Sequence, residues 1–389
     1  MAKEVGFKKR IVVLGDLAPL GQAEASFLSG DSDWFTDELG PTFKGADFTF
    51  VNLECPLINS ESPIPKLGPA LGAKTDSANA LKNFSLVGLA NNHIYDHGEG
   101  GVKHTLELLD KSNISYLGAG MNLSSAGKPR VVNLGDVTVG FLAWSHHEFC
   151  IATEISAGAF PIDLRLGLGI LEDLQQKCDF VILFYHGGVE HFPYPTPEQR
   201  ANCKFLAERG VDLIVCQHSH IIGASETVGD STILYGQGNY CFDLKGKETV
   251  EHWSQGLLLD VAVEVGKPLH AEFVPILQDI NDGMRPKLAS PDVAAGILEK
   301  QRELSEILLD SEAYEEVWAS YVERQANNFL YGQLPVGRYI RKALKILGLM
   351  RLPWGRRQAL KVLNCMECEA HSDVIVAGLK RIINKKDGS

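Results

Sequence analysis

The chain has 389 residues, of which 45% are hydrophobic and 22% charged, and its formal net charge is −12 at pH 7. This length and composition predict a globular protein with one large domain plus an appendage, or with two domains. The negative charge excludes a general nucleic-acid binder, because such a surface repels phosphates. No run approaches the ~18 apolar residues of a membrane span, and the apolar stretch near the start is too short for a signal peptide. We therefore expect a cytoplasmic protein.

Eight runs of β-branched and aromatic residues have the length of strands, and most are apolar throughout, as in strands buried on both faces of a sheet. These runs cover residues 10–15, 47–53, 84–90, 137–144, 179–186, 211–217, 232–237 and 257–265. Helical spacing is found between them, at 100–113, 165–178 and 197–210. Residues 59–69 are rich in proline and serine and predict a loop or flap. This alternation predicts an α/β fold.

The character of the sequence changes after about residue 270. Residues 290–330 are acidic and helix-periodic, with a Ser-Pro-Asp start that suits a helix N-terminus. Residues 338–361 contain eight basic residues and no acidic one, interleaved with Leu, Ile, Met and Trp. This basic segment predicts either a peripheral contact with anionic lipid at the inner face of a membrane or a helix packed on the acidic segment. The second interpretation is favoured, because opposite charges lie so close in the sequence.

Metal-capable or hydrogen-bonding side chains follow six of the strand-like runs, at the point where each run ends. They are Asp16, Glu54, Asn91, Asn92, His93, His186, Glu190, His218, His220 and Asn239. Any one of them has an ordinary explanation as a helix cap, a turn residue or a hydrogen-bonded histidine. Ligands of open α/β sheets bind at the carboxyl ends of the strands, so six such ends in succession predict one shared centre. Imidazole, carboxylate and amide oxygen together suit Mn, Fe or Zn, and two such ions activate phosphoryl groups.

The segments that carry these residues also show a family resemblance. They are "GD" (15–16), "VNLECPL" (51–57), "LANNHIYDHGEGG" (89–101), "YHGGVEHF" (185–192), "AERGVDLIVCQHSH" (207–220) and "ILYGQGNYCFD" (233–243). In this order they resemble the CapA family of bacterial capsule and poly-γ-glutamate synthesis proteins, a branch of the calcineurin-like metallophosphoesterases. The resemblance implies a sandwich of two mixed β-sheets flanked by helices over residues 9–265. Residues 266–389 would form a mostly α-helical C-terminal extension.

The resemblance further implies a role for each site residue. Asp16 and His220 would hold one divalent metal ion, Asn92, His186 and His218 the other, and Glu54 would bridge them. His93, oriented by Asp96, would be the general acid toward the leaving oxygen. Three further residues, Asn91, Glu190 and Asn239, would support the ligands or contact the substrate. One departure is Ala18, which stands where most calcineurin-like enzymes have a histidine ligand.

Two hypotheses about function follow from the sequence. The first is a metal-dependent phosphoesterase in capsule, poly-γ-glutamate or exopolysaccharide synthesis, acting on a phosphorylated small molecule or a polymer end. The second is a non-catalytic accessory subunit of a polymer synthesis or export complex that retains the fold. The reduced ligand set and the additional C-terminal region favour the second hypothesis, and the strand-end residues favour the first.

Overall fold

The computed structural model describes residues 8–31, 33–243 and 252–332, together with scattered positions between 360 and 379. The chain divides into two compact units, Met1–Ser311 and Glu312–Ser389. Of the basic segment 338–361, only Leu360 is among the described residues, so the predicted lipid contact lies outside them. In the described part of the chain, no helix is both long enough and apolar enough to cross a lipid bilayer.

The described residues form strands in the first unit, numbered here in chain order. They are β1 (Lys9–Ala18), β2 (Phe48–Leu53), β3 (Leu57–Ile58), β4 (Ala73–Lys74), β5 (Leu86–Gly88), β6 (Tyr116–Leu117), β7 (Ala119–Gly120), β8 (Arg130–Leu134), β9 (Val137–Ser145), β10 (Gly158–Ala159), β11 (Phe180–His186), β12 (Leu213–Gln217), β13 (Ser225–Val228), β14 (Ser231–Leu234), β15 (Asn239–Phe242), β16 (Gln255–Val263), β17 (His270–Asp279) and β18 (Arg285–Leu288). The α-helices are α1 (Glu24–Ser29), α2 (Gly40–Lys44), α3 (Gly98–Lys111), α4 (Leu123–Ala126), α5 (Leu164–Gln175), α6 (Pro197–Glu208), α7 (Pro291–Leu309) and α8 (Ser311–Gly332).

Eight strands form the first sheet, in the order β18-β17-β16-β1-β2-β5-β6, with β15 paired to β1 as well. It is mixed, because β1 is parallel to β2 and antiparallel to β16. The sheet continues past residue 265, where the sequence placed the end of the domain, because β17 pairs along β16 and β18 pairs along β17. The first α-helix after residue 265 begins at Pro291.

Six strands form the second sheet, in the order β13-β14-β12-β11-β9-β8, which is also mixed. The two sheets pack face to face through aromatic side chains. Phe50 of β2 stacks on Phe184 of β11 with ring centroids 3.4 Å apart, and Phe48 of β2 stacks on Phe141 of β9 at 5.1 Å. Such contacts bury large apolar areas between the layers. The predicted sandwich of two mixed sheets flanked by helices is confirmed.

In the centre of the first sheet, one edge of β1 pairs with two different strands, β16 and then β15. Its first half pairs with β16, whereas Asp16 is aligned with Asn239 of β15. The register shifts next to Asp16, and such irregularities re-aim side chains. Gly15 permits the change, because a Cβ atom there would lie 2.3 Å from the carbonyl oxygen of Gly238. The backbone thus places the Asp16 and Asn239 side chains at the same edge.

Candidate metal centre

The six side chains that the sequence predicts as metal ligands lie together where strands of both sheets end. They are Asp16, Glu54, Asn92, His186, His218 and His220. Ligand atoms of Glu54, His186 and His218 lie within 4.8 Å of one another, and so do those of Asp16, Glu54 and His220. Glu54 belongs to both groups and therefore lies between them.

Individual distances connect the members of the cluster. His186 Nε2 lies 3.4 Å from Glu54 Oε1 and 3.0 Å from Asn92 Oδ1. On the other side, His220 Nε2 lies 3.7 Å from Glu54 Oε1, and His220 Nδ1 lies 3.7 Å from Asp16 Oδ2. The donor atoms thus surround a small volume and come from segments that are far apart in the chain.

Glu54 has a buried carboxylate without a hydrogen-bond partner among the described residues. Its side chain is 0% exposed, and neither carboxylate oxygen accepts a hydrogen bond from the described residues. His218 Nδ1 is also buried without a hydrogen-bond partner there. An isolated carboxylate in such surroundings is strongly destabilising unless a cation or a proton neutralises it. The residues present therefore fit divalent metal ions, which this set of imidazole, carboxylate and amide donors suits.

Burial shifts the pKa values of these groups toward their neutral forms. It raises the pKa of Asp16 to about 6, although hydrogen bonds from Asn52 and His218 oppose the rise. Burial, followed by the nearby charge of Asp16, raises the pKa of Glu54 well above its ordinary value. Burial also lowers the pKa of His186 well below its ordinary range and that of His220 to about 3. The histidines are thus neutral and ready to bind metal, and a bound cation would favour the charged carboxylates.

The segment after β12 holds two histidines in an unusual backbone conformation. His218 has φ 94° and His220 has φ 58°, in the left-handed region that non-glycine residues rarely adopt. Each such residue costs roughly 1–3 kcal/mol and persists where the surroundings fix it. Here the backbone N–H of His218 donates to Asp16 Oδ2 at 3.1 Å, which anchors the strained turn to the cluster.

Two asparagines orient the ligands. Asn52 Nδ2 donates to Asp16 Oδ1 at 2.8 Å and lies 3.4 Å from His186 Nδ1. Asn239 donates through Nδ2 to the carbonyls of His220 and Trp253, so its Oδ1 accepts from His220 Nδ1 at 3.0 Å. That arrangement leaves Nε2 of His220, on the Glu54 side, without a proton. Asn239 was predicted to support a ligand, whereas Asn52 was not among the predicted site residues.

The predicted pair His93 and Asp96 is formed, and it includes a third residue. Asp96 Oδ2 lies 2.6 Å from His93 Nδ1 and accepts the backbone N–H of Leu71 at 2.7 Å. Asp96 Oδ1 accepts from Lys66 Nζ at 2.6 Å, and the Lys66 side chain is only 4% exposed. Sequence reasoning predicted the loop 59–69 but not its buried lysine. All of the Asp96 oxygens thus have partners within the protein.

The other two predicted site residues lie at different depths. Asn91 is buried and donates from Nδ2 to the Leu53 carbonyl at 2.7 Å, while its Oδ1 accepts from the His93 backbone N–H at 3.2 Å. It therefore fixes the turn that carries His93. Glu190 is exposed, with Oε2 3.4 Å from His191 Nε2, and its charge contributes to the raised pKa of Glu54.

His146 and Glu148 lie beside the cluster and were missed from the sequence. The ligand atoms of His146, Glu148 and His218 lie within 4.8 Å of one another. His146 directly follows β9, so the strand-end rule that identified the other ligands applies to it as well. The signal was present in "WSHHEF" (144–149) after a predicted strand.

Comparisons with known proteins identify relatives of this chain. The family model described as "Bacterial capsule synthesis protein PGA_cap" matches residues 10–244. The PGA biosynthesis protein CapA of Bacillus subtilis is 29% identical over 211 residues, which cover 52% of this chain and 55% of that protein. The capsule biosynthesis protein CapA of Bacillus anthracis is 27% identical over 225 residues, covering 54% of each chain. This chain is thus aligned with about half the length of these curated relatives.

Among solved structures, a novel phosphatase from Mycoplasma pneumoniae is similar with a TM-score of 0.42 and 15% sequence identity. The similarity covers 70% of this chain and 95% of that chain. The family match covers every predicted metal ligand and the whole second sheet, whereas β16, β17 and β18 of the first sheet lie beyond it. The resemblance seen in the sequence motifs is confirmed, and the chain belongs to the bacterial capsule synthesis protein family PGA_cap.

Proposed function

We propose that this chain is a metal-dependent phosphoesterase that acts in the synthesis of capsule, poly-γ-glutamate or a related exopolysaccharide. The observation that carries the proposal is the placement of Glu54. Its buried carboxylate lies between two groups of ligand atoms and accepts no hydrogen bond from the described residues. A structural carboxylate would have its partners within the protein.

Two divalent ions, Mn, Fe or Zn, would be held by Asp16, Glu54 and His220 on one side and by Asn92, Glu54, His186 and His218 on the other. When bound, such metals supply Lewis acidity toward a phosphoryl oxygen and lower the pKa of water. Asn52 and Asn239 keep the ligand side chains in place, because each holds a ligand by a hydrogen bond at 2.8–3.0 Å. Burial of the cluster excludes bulk water and strengthens these interactions.

His93 is the residue that would move a proton. Asp96 engages its Nδ1 at 2.6 Å, so only Nε2 remains available to a substrate oxygen. Asp96 in turn accepts hydrogen bonds from Lys66 and from the backbone of Leu71, and these bonds hold the orientation of the Asp96 and His93 side chains. We propose that His93 protonates the leaving oxygen of a phosphorylated small molecule or polymer end.

Hydrolysis of p-nitrophenyl phosphate and bis(p-nitrophenyl) phosphate by the purified full chain with Mn²⁺ tests this function. We expect His93→Ala to lower the rate by about 10²–10⁴-fold with unchanged metal content. His220→Ala is expected to lower both the rate and the metal content. Exposed His270, on β17 of the first sheet, supplies the matched control His270→Ala, which should retain both. Absence of hydrolysis with Mn²⁺, Fe²⁺ and Zn²⁺, or equal rates in all variants, would overturn the proposal.

One observation favours the accessory role as a second candidate. Ala18 stands where most calcineurin-like enzymes have a histidine ligand, so the cluster has one imidazole fewer at that position. An accessory subunit of a polymer synthesis complex would need the metal only for stability. This accessory role predicts that His93→Ala supports polymer synthesis at the wild-type level, whereas His220→Ala lowers the melting temperature.

A further inference from the structure

His146 and Glu148 form a short arm on the loop that follows β9. The His146 side chain is 24% exposed, and its ring lies edge-on to that of His218 with centroids 4.4 Å apart. His146 Nε2 is 3.3 Å from Glu148 Oε1, an ion-pair distance without the geometry of a hydrogen bond. The arm therefore faces the metal centre from the side of His218.

Two nitrogen atoms at this place are buried without hydrogen-bond partners among the described residues. They are His146 Nε2 and His218 Nδ1, and the His218 side chain is almost completely buried. Buried ring nitrogens normally have a partner, because the loss of hydration is otherwise uncompensated. Two orphaned nitrogens next to a carboxylate, with ligand atoms within 4.8 Å of one another, are the arrangement expected of a cation site.

We propose that His146 and Glu148 are additional ligands of the first-row divalent cation that His218 holds beside Glu54, with His146 as an additional imidazole ligand. Two imidazoles and one carboxylate are a donor set that suits Fe, Mn or Zn. This inference rests on the proposed function, because His218 belongs to both ligand groups. It also gives the chain an imidazole that Ala18 does not provide.

Glu148 fits the role of the carboxylate ligand. Burial acts to raise its pKa, but the contact with His146 and the charges of His146, Lys66 and His93 outweigh this effect, so the net shift of the pKa is downward. Glu148 is therefore charged at neutral pH and lies within electrostatic reach of the pair that would carry out the proton transfer. A cation held here would be next to the reacting groups and not at a remote surface.

The test is a calorimetric titration of the metal-free full chain with Zn²⁺, supported by the visible absorption of the Co²⁺-loaded protein. His146→Ala and Glu148→Gln are compared with wild type. His147→Ala is the matched control, because this neighbouring histidine is exposed and in none of the ligand groups found among the described residues. We expect His146→Ala and Glu148→Gln to weaken binding of one cation by about 10–100-fold and to change the Co²⁺ spectrum. His147→Ala should match wild type.

The outcomes separate this inference from the proposed function. If His146→Ala and Glu148→Gln bind metal as tightly as wild type, the inference is wrong and the proposed function stands. Equal weakening by His147→Ala would also overturn it, because the effect would then not belong to this site. If wild type binds no divalent ion, both proposals fail. Since His146 is partly exposed, its variants are expected to fold, and circular dichroism verifies this.

Discussion

Two buried glutamates of this molecule have the same side chain in opposite electrostatic surroundings. Glu226 of β13, 3% exposed, accepts two hydrogen bonds from Arg200, at 2.9 and 3.0 Å, and one from the Tyr235 hydroxyl at 2.7 Å. Glu54, 0% exposed, accepts none from the described residues. Burial acts to raise the pKa of both groups, but the Arg200 and Tyr235 contacts lower that of Glu226, whereas that of Glu54 is well above its ordinary value.

A structural carboxylate differs from a carboxylate of a ligand site in the partners that the protein provides for it. Arg200 supplies a cation to Glu226, whereas none of the described residues supplies one to Glu54. Asp96 resembles Glu226, because Lys66, Leu71 and His93 occupy its oxygens. A carboxylate that is completely buried and unpartnered is therefore better evidence for a cation site than burial or charge alone.

The largest expected effect on stability is that of replacing Arg200, the partner of Glu226. Arg200→Met leaves the Glu226 carboxylate buried, with the Tyr235 hydroxyl as its remaining hydrogen-bond donor among the described residues, so the free energy of unfolding should fall by about 3–5 kcal/mol. Urea denaturation measures this change. Metal content should remain that of wild type, and a loss of metal in this variant would show that the two glutamates are not independent.

The next effect concerns the unpartnered glutamate. Metal at a concentration of 100 times its Kd should raise the free energy of unfolding of the wild type by about 2.7 kcal/mol. Glu54→Gln removes the shared carboxylate, so most of this gain should disappear, while the metal-free variant is at least as stable as metal-free wild type. Thermal unfolding with and without Mn²⁺ measures both. If metal-free Glu54→Gln is much less stable than metal-free wild type, Glu54 is a structural carboxylate like Glu226 and the contrast between the two glutamates is wrong.

Lys66→Met should have an intermediate effect. Asp96 loses its cation but keeps two hydrogen-bond partners, so we expect a loss of about 2 kcal/mol in the free energy of unfolding. Lys66→Arg is the matched variant, since it retains the charge. If Lys66→Met leaves both stability and phosphodiester hydrolysis unchanged, the ion pair with Asp96 has no role in either.

The smallest effect is the pH dependence of metal binding. Metal binds the deprotonated form of Asp16, whose pKa is raised to about 6 by burial, so protons compete with metal below that pH. Metal affinity should therefore rise with pH, by up to about tenfold per unit for each proton released, equivalent to 1.36 kcal/mol. Titrations at pH 5, 6 and 7 measure the slope. An affinity that falls as pH rises through this range would contradict the assignment of Asp16 as a ligand.

Much of the fold could be predicted because its strands are apolar runs of strand length. Several strands were not predicted, and for β17 and β18 the physical reasons are clear. β17 was missed because its first residues alternate between exposed and half-buried and only three of its ten residues are fully buried, unlike β2 and β11, which are buried throughout. β18 is only four residues long and contains a proline. Short strands near the edge of a sheet carry a weak signal.

The candidate site was predictable where its residues directly follow strands, and it was not predictable where its contacts depend on packing. The ends of the strands predicted the ligands from Asp16 to His220, and the structure brings them together. Lys66 gave no signal, because a single lysine in a proline-rich loop is ordinarily solvated and its partner Asp96 is 30 residues away. The lack of partners around Glu54 is a property of the folded molecule, and no sequence pattern encodes it.

Elemental analysis of the purified full chain, after dialysis to remove loosely bound ions, tests the central claim most directly. We expect about two equivalents of Mn, Fe or Zn per wild-type chain, clearly less in Glu54→Gln, and the wild-type amount in Glu226→Gln. No bound metal in the wild type, or equal metal in the Glu54→Gln protein, would contradict a cation centre built around Glu54.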